Sequence, residues 1–226
     1  MITDYVDLPF IQQAILTLAA LILVSSFALL AQGRVVATIQ IFGWQGALLA
    51  AVTALVAIAT GESRLFISAA MTLGLKSLFI PWLLIRQSRR LGILKDRDSV
   101  LRPGVTLLAA GVLVIFCYSV ARPIERYAAS ITGDAVALSL AVVMLAMLML
   151  VTRRKAITQV IAFMALENGL FFAAVTATHG MPLIVELGMA FDVLVAAIIF
   201  GIFVFHIRDS IDSLDVDELN RLSEGN

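Results

Sequence analysis

Long apolar runs alternate along this chain with short polar breaks, and the runs have the length of a membrane crossing. A helix needs about 20 apolar residues to span the roughly 30 Å hydrocarbon core of a bilayer. Seven segments meet that length: 10–32, 36–60, 65–86, 104–121, 134–152, 156–178 and 182–206. The breaks carry helix-ending residues. Gly33-Arg34 follows the first segment and "GESR" (61–64) the second. "ARPIERY" and "ITGD" separate the fourth and fifth, "TRRK" the fifth and sixth, and "HGMP" the sixth and seventh. The longest connection, Arg86 to Gly104, ends in an Arg-Pro-Gly helix start. The pattern predicts an all-α integral membrane protein with seven transmembrane helices.

Composition agrees. The 226 residues are 61% hydrophobic and 14% charged, with mean hydropathy +1.02, against roughly 45–50% apolar and about 25% charged in soluble domains. Zero formal net charge offers no basic surface to nucleic acid. The single cysteine, Cys117, excludes an internal disulfide and any cysteine-ligated cluster. The opening "MITDYVDLPF" has two acids and no base, so it lacks the positive start of a signal peptide.

Charge sets the orientation. If the N-terminus is on one face, the opposite face receives Arg34, the six basic residues from Arg86 to Arg102, Arg153 to Lys155, Arg208 and Arg221. The N-terminal face receives only Arg64, Arg122 and Arg126. Twelve against three places the richer face in the cytoplasm. The expected protein has an outside N-terminus and a cytoplasmic C-terminus in the cell (inner) membrane.

The chain also repeats weakly. "GALLAAVTA" (46–54) aligns with "GLFFAAVTA" (169–177), and "WQ" before the first matches "EN" before the second. Segments one to three and five to seven run in the same directions, with segment four crossing between them, as parallel repeats require. The expected organisation is a first three-helix repeat (1–86), a cytoplasmic loop and crossover helix (87–133), and a second three-helix repeat with a cytoplasmic tail (134–226). In this alignment Trp44 stands where the second copy has Glu167.

Three ionisable residues fall near the middle of their segments: Lys76, Glu167 and Asp192. At 1.5 Å rise per residue each lies roughly 15 Å from either surface. A lysine reaches only about 6 Å, so Lys76 does not snorkel to water. A charge at this depth costs about 2.5–3.5 kcal/mol or more, so these groups must face a bundle interior, a wet cavity or one another. One reading is a structural ion pair between Lys76 and either acid. The other is a proton relay: burial disfavours the charged form of acids and amines alike, which brings proton exchange within reach of physiological pH. Opposite charges on three separate helices suit a series of hops.

Weaker signals surround them. Gln45 and Asn168 occupy matching repeat positions and are candidates to orient water or to join helices by hydrogen bonding. Glu186, about 9 Å from Asp192 by helical rise, is a candidate entry site. His179 and His206 fall at opposite faces and so do not share a haem. The chain contains no phosphate-binding glycine loop, HExxH motif or catalytic triad pattern. No cofactor or metal is expected.

The mid-membrane acid in "ALENG", followed by an acid in the next helix, resembles the K subunit of bacterial respiratory complex I and the C subunit of Mrp-type antiporters. Over most of the chain the closer resemblance is to the E component of hydrogenase-4 and formate hydrogenlyase-type complexes. It rests on "SAAMTLGLKSLFIPWLL" (68–84), "LENGLFFAAV" (166–175), "ELGMAFDVLVAAIIFGI" (186–202) and "SLDVDELNRL" (213–222). This resemblance implies a membrane subunit of a group 4 NiFe hydrogenase, without redox catalysis of its own, lodged among large antiporter-like subunits. It implies that Glu167 and Asp192 belong to the path of protons, or of sodium. Asp192 stands where the K subunit has glutamate, one methylene longer. Two other classes compete: a subunit of an Mrp-like antiporter or a free-standing transporter, and a seven-helix retinal protein. The retinal class needs its lysine in the last helix, whereas Lys76 is in the third.

Overall fold

The computed structural model describes residues 4–90, 103–125 and 135–177, with Gly188, Val195 and Ile198 beyond them. The chain divides into two compact units, Met1–Ala190 and Phe191–Asn226, and every helix labelled here lies in the first. They are α1 (Asp4–Ala31), α2 (Val35–Thr60), α3 (Ser63–Thr72), α4 (Ile80–Arg90), α5 (Pro103–Glu125), α6 (Ala135–Thr152) and α7 (Ala156–Ala177). A π-helical turn, Leu73–Phe79, joins α3 to α4 in one long helix. Among the described residues six stretches are long and apolar enough to cross a membrane: Phe10–Ala31, Val35–Thr60, Ser63–Arg89, Pro103–Ala121, Ala135–Thr152 and Ala156–Thr176. They coincide with the first six predicted segments. The seventh, 182–206, lies outside the described residues apart from the three isolated positions.

The breaks work as their residues require. Gly61 ends α2 in the left-handed region, at φ 73°, and its N–H donates to Ala57 O at 2.9 Å. A side-chain-bearing residue is strained there. Arg34 is extended (φ −111°, ψ 121°) and starts α2 three residues after α1 ends. So short a connection forces α1 and α2 to lie antiparallel as neighbours. The three residues between α6 and α7 do the same. The two hairpins meet through α1 on α6 and α2 on α7. The helix carrying the π turn packs along α2, and α5 lies outside α6 and α1.

The core runs between the hairpins. Ile15 and Ile22 of α1, Leu49 and Val52 of α2, Val142 of α6, and Phe172 and Val175 of α7 form one buried cluster. Lipid tails are as apolar as these side chains, so close contact and small residues hold the helices together. Gly169 is such a residue. A Cβ there would stand 2.8 Å from Val143 Cγ2 and 3.0 Å from the Val143 backbone nitrogen.

A buried arginine fastens the hairpins at one end. Arg153, between α6 and α7, donates from Nη2 to Leu30 O (2.8 Å), Gln32 O (2.6 Å) and Leu29 O (3.3 Å). These carbonyls belong to the end of α1 and the turn after it, where helical partners run out. The positive guanidinium also complements the negative end of the α1 dipole.

Candidate functional site

Lys76 and Glu167 come together. Lys76 projects from the π turn, Glu167 from the middle of α7, and Lys76 Nζ lies 3.0 Å from Glu167 Oε1. The Lys76 side chain is 1% exposed and that of Glu167 13%. Glu167, one of the two acids that the sequence offers to Lys76, is placed against it. Asp192 and Glu186 fall outside the described residues.

Among the described residues, an aromatic ring and a glycine flank the pair. The Phe171 ring, one helical turn beyond Glu167, sits with its centroid 5.7 Å from Lys76 Nζ. An aromatic face at that distance attracts an ammonium group. Gly188 backs the carboxylate, and a Cβ on it would stand 3.7 Å from Glu167 Oε1 and 3.3 Å from Phe171 Cδ2. At this burial the attraction between the two charges must offset the desolvation of both. Either member alone is far more costly than the pair.

A second polar layer adjoins the first. Asn168 Nδ2 donates to Gln45 Oε1 at 3.2 Å, and Gln45 Nε2 donates to Ser26 Oγ at 2.9 Å. Ser26 Oγ in turn donates to Ile22 O at 3.1 Å. Asn168 and Gln45 are fully buried and Ser26 nearly so. Among the described residues Asn168 Oδ1 accepts no hydrogen bond. The row connects α7, α2 and α1 across the core. It fixes the rotation of α7, and Glu167 is the next residue along that helix.

Sequence reasoning singled out Lys76, Glu167, Gln45 and Asn168, and the fold joins them as two adjacent pairs. It missed Ser26, whose hydroxyl is one of many in apolar segments, and Phe171, which reads as packing. Arg153 reads from the sequence only as a cytoplasmic charge. Chemically, the Lys76–Glu167 pair can exist as ammonium with carboxylate or as amine with carboxylic acid, both neutral overall. One proton distinguishes them.

The chain is similar to the uncharacterized protein Rv0085 of Mycobacterium tuberculosis, at 31% identity over 189 residues, 83% of this chain and 86% of the relative. It is also similar to hydrogenase-4 component E of Escherichia coli K12 and of Shigella flexneri, at 24% identity over 181 residues, 80% of this chain and 84% of each relative. No family model matches it, and no solved structure matches it significantly. These near full-length likenesses show that the chain belongs to the family of the mycobacterial protein Rv0085, with hydrogenase-4 component E as a distant homologue.

Proposed function

We propose that this protein is a non-catalytic membrane subunit of a hydrogenase complex of the hydrogenase-4 type, and that its buried charges carry protons, or sodium, across the bilayer. The observation that carries the reading is the 3.0 Å contact between Lys76 and Glu167, deep within two apolar spans. The homology to component E supplies the setting. In that setting the chain lies in the inner membrane beside large antiporter-like subunits, with its N-terminus outside and its C-terminus in the cytoplasm.

The pair suits relay work because its internal proton transfer leaves the net charge unchanged. An arriving proton can neutralise Glu167 while Lys76 stays charged, and the buried positive charge that results loses its counter-charge until a proton moves on. Asp192 is the next stop in this reading, and Glu186 the approach to it. Gln45 and Asn168 hold α7 in rotation so that Glu167 faces the lysine.

Two parallel three-helix repeats joined by α5 fit the same account. Gln45, Gly46, Leu49, Val52 and Thr53 of α2 are buried, and so are their counterparts 123 residues later, Asn168, Gly169, Phe172, Val175 and Thr176. An axis along the membrane normal between α2 and α7 brings matching residues face to face, as Gln45 meets Asn168. Trp44, the counterpart of Glu167, is 72% exposed, so only the second copy keeps an acid facing inward. The test of the whole reading is co-purification. An affinity tag on this chain, extracted in mild detergent from its own host, should bring down hydrogenase and antiporter-like subunits. A chain recovered alone that transports ions when reconstituted would contradict the proposal.

A further inference from the structure

The helix that carries Lys76 changes register where Lys76 sits. On either side, Ser63–Thr72 and Ile80–Arg90 are α-helical. Between them, in the π turn, the Ile80 N–H donates to Leu75 O, five residues back. Pro81 gives a reason for the widening. It has no N–H, and in an α-helix its ring collides with the carbonyl four residues earlier, that of Ser77. A π turn moves that carbonyl aside.

The widened turn needs room, and α2 leaves it. A Cβ on Gly43 would stand 3.1 Å from Ser77 O and 3.2 Å from Pro81 Cγ. A Cβ on Gly46 would stand 3.1 Å from Lys76 Cβ, 3.2 Å from its carbonyl carbon and 3.3 Å from its oxygen. Backbone atoms do not yield as the end of a flexible side chain does. Lys76 is the buried residue of the π turn, and the register of the turn sets where its side chain points. Closing a π turn to an α turn rotates one flank by about 100° against the other. That rotation carries Lys76 off the side that faces α7.

We propose that Pro81 and Gly46 are positioning residues for the Lys76–Glu167 pair. Pro81 holds the turn in π register, and Gly46 lets that turn seat against α2. The functional consequence rests on the role proposed for the pair; the geometry is tested independently.

The full-length chain in lipid bilayers, labelled with 15N-lysine and 13C-glutamate, reports the contact by solid-state dipolar coupling between Lys76 Nζ and Glu167 Cδ. The signal is assigned by its loss in Glu167→Gln. Pro81→Ala restores an N–H for Ser77 O and removes proline from a helix interior. The thermal midpoint should therefore stay level or rise while the coupling disappears. A proline with only a structural role gives no such split. In the assembled complex, coupled turnover should fall by about tenfold or more, as displaced reacting groups do elsewhere. Full-strength coupling in Pro81→Ala, or failure of that variant to fold, would overturn the part given to Pro81. Gly46→Ala should fold with a lower thermal midpoint and at least half of the coupling lost. An unchanged contact, or a chain that fails to fold, would remove Gly46 from the proposal. Loss of contact with undiminished turnover would leave the positioning intact and refute the role of the pair.

Discussion

Gln45 of α2 and Asn168 of α7, 123 positions apart, join side chain to side chain at 3.2 Å in the buried core. They are the two amides that precede the matching glycines of the repeated motif. Hydrogen bonds between membrane helices contribute about 0.6 kcal/mol on average and up to about 1.7. A double-mutant cycle with Gln45→Leu and Asn168→Leu, read by unfolding in mixed micelles, should give a coupling of about that size. Additive single effects would show that the amides do not act together.

The glycines differ in what surrounds them, and so should their alanine variants. Gly169→Ala drives a methyl to 2.8 Å from Val143 Cγ2, and overpacking of this kind costs about 1–3 kcal/mol. Gly111 of α5 has nothing within 4 Å of an added Cβ. Gly111→Ala should be neutral or stabilising by about 0.5–1 kcal/mol, since glycine is the poorer helix former. Thermal unfolding of the two variants should separate them in opposite directions.

Arg153 should prove a stability residue and not merely a topological charge. It is 5% exposed and serves three carbonyls at the end of α1. Hydrogen bonds to a charged group contribute about 1.5–3 kcal/mol, so Arg153→Ala should destabilise by about that amount or more. Arg153→Lys should recover only part of it, because an ammonium lacks the planar fork. Its exposed neighbour Arg154 should tolerate alanine with little effect.

Orientation has its own check. Single cysteines introduced at Asp4 and Glu224, in a Cys117→Ser background, should label from opposite faces of sealed membranes, Asp4 from outside. Labelling of both from one face would refute the odd number of spans.

Much of this was legible in the sequence because hydrocarbon imposes a simple rule. Backbone groups must be satisfied within each span, so an apolar run of sufficient length is a helix, and six runs from 10 to 178 coincide with six helices. The depth of Lys76 and Glu167 was legible for the same reason: rise per residue converts position into depth. Which acid the lysine meets was not, because that depends on how each helix is rotated. Gly46, Gly169 and the Gln45–Asn168–Ser26 row set those rotations through packing between distant segments. The π turn was missed although its signal, Pro81 five residues after Lys76, was in plain view. Pro81 has no N–H, so in an α-helix the Ser77 carbonyl would lose its partner.

The central claim is that Glu167 carries a proton and does not merely neutralise Lys76. Glu167→Gln alone is ambiguous, because taking the carboxylate from a buried lysine costs about 3–5 kcal/mol. The double variant Lys76→Met with Glu167→Gln removes both charges, and such replacement is often neutral for stability. The decisive measurement is hydrogen turnover coupled to ion movement by the complex assembled with this double variant, in sealed vesicles. The account predicts normal assembly with ion movement lost. Normal assembly with full ion movement would contradict it, and the pair would then be structural.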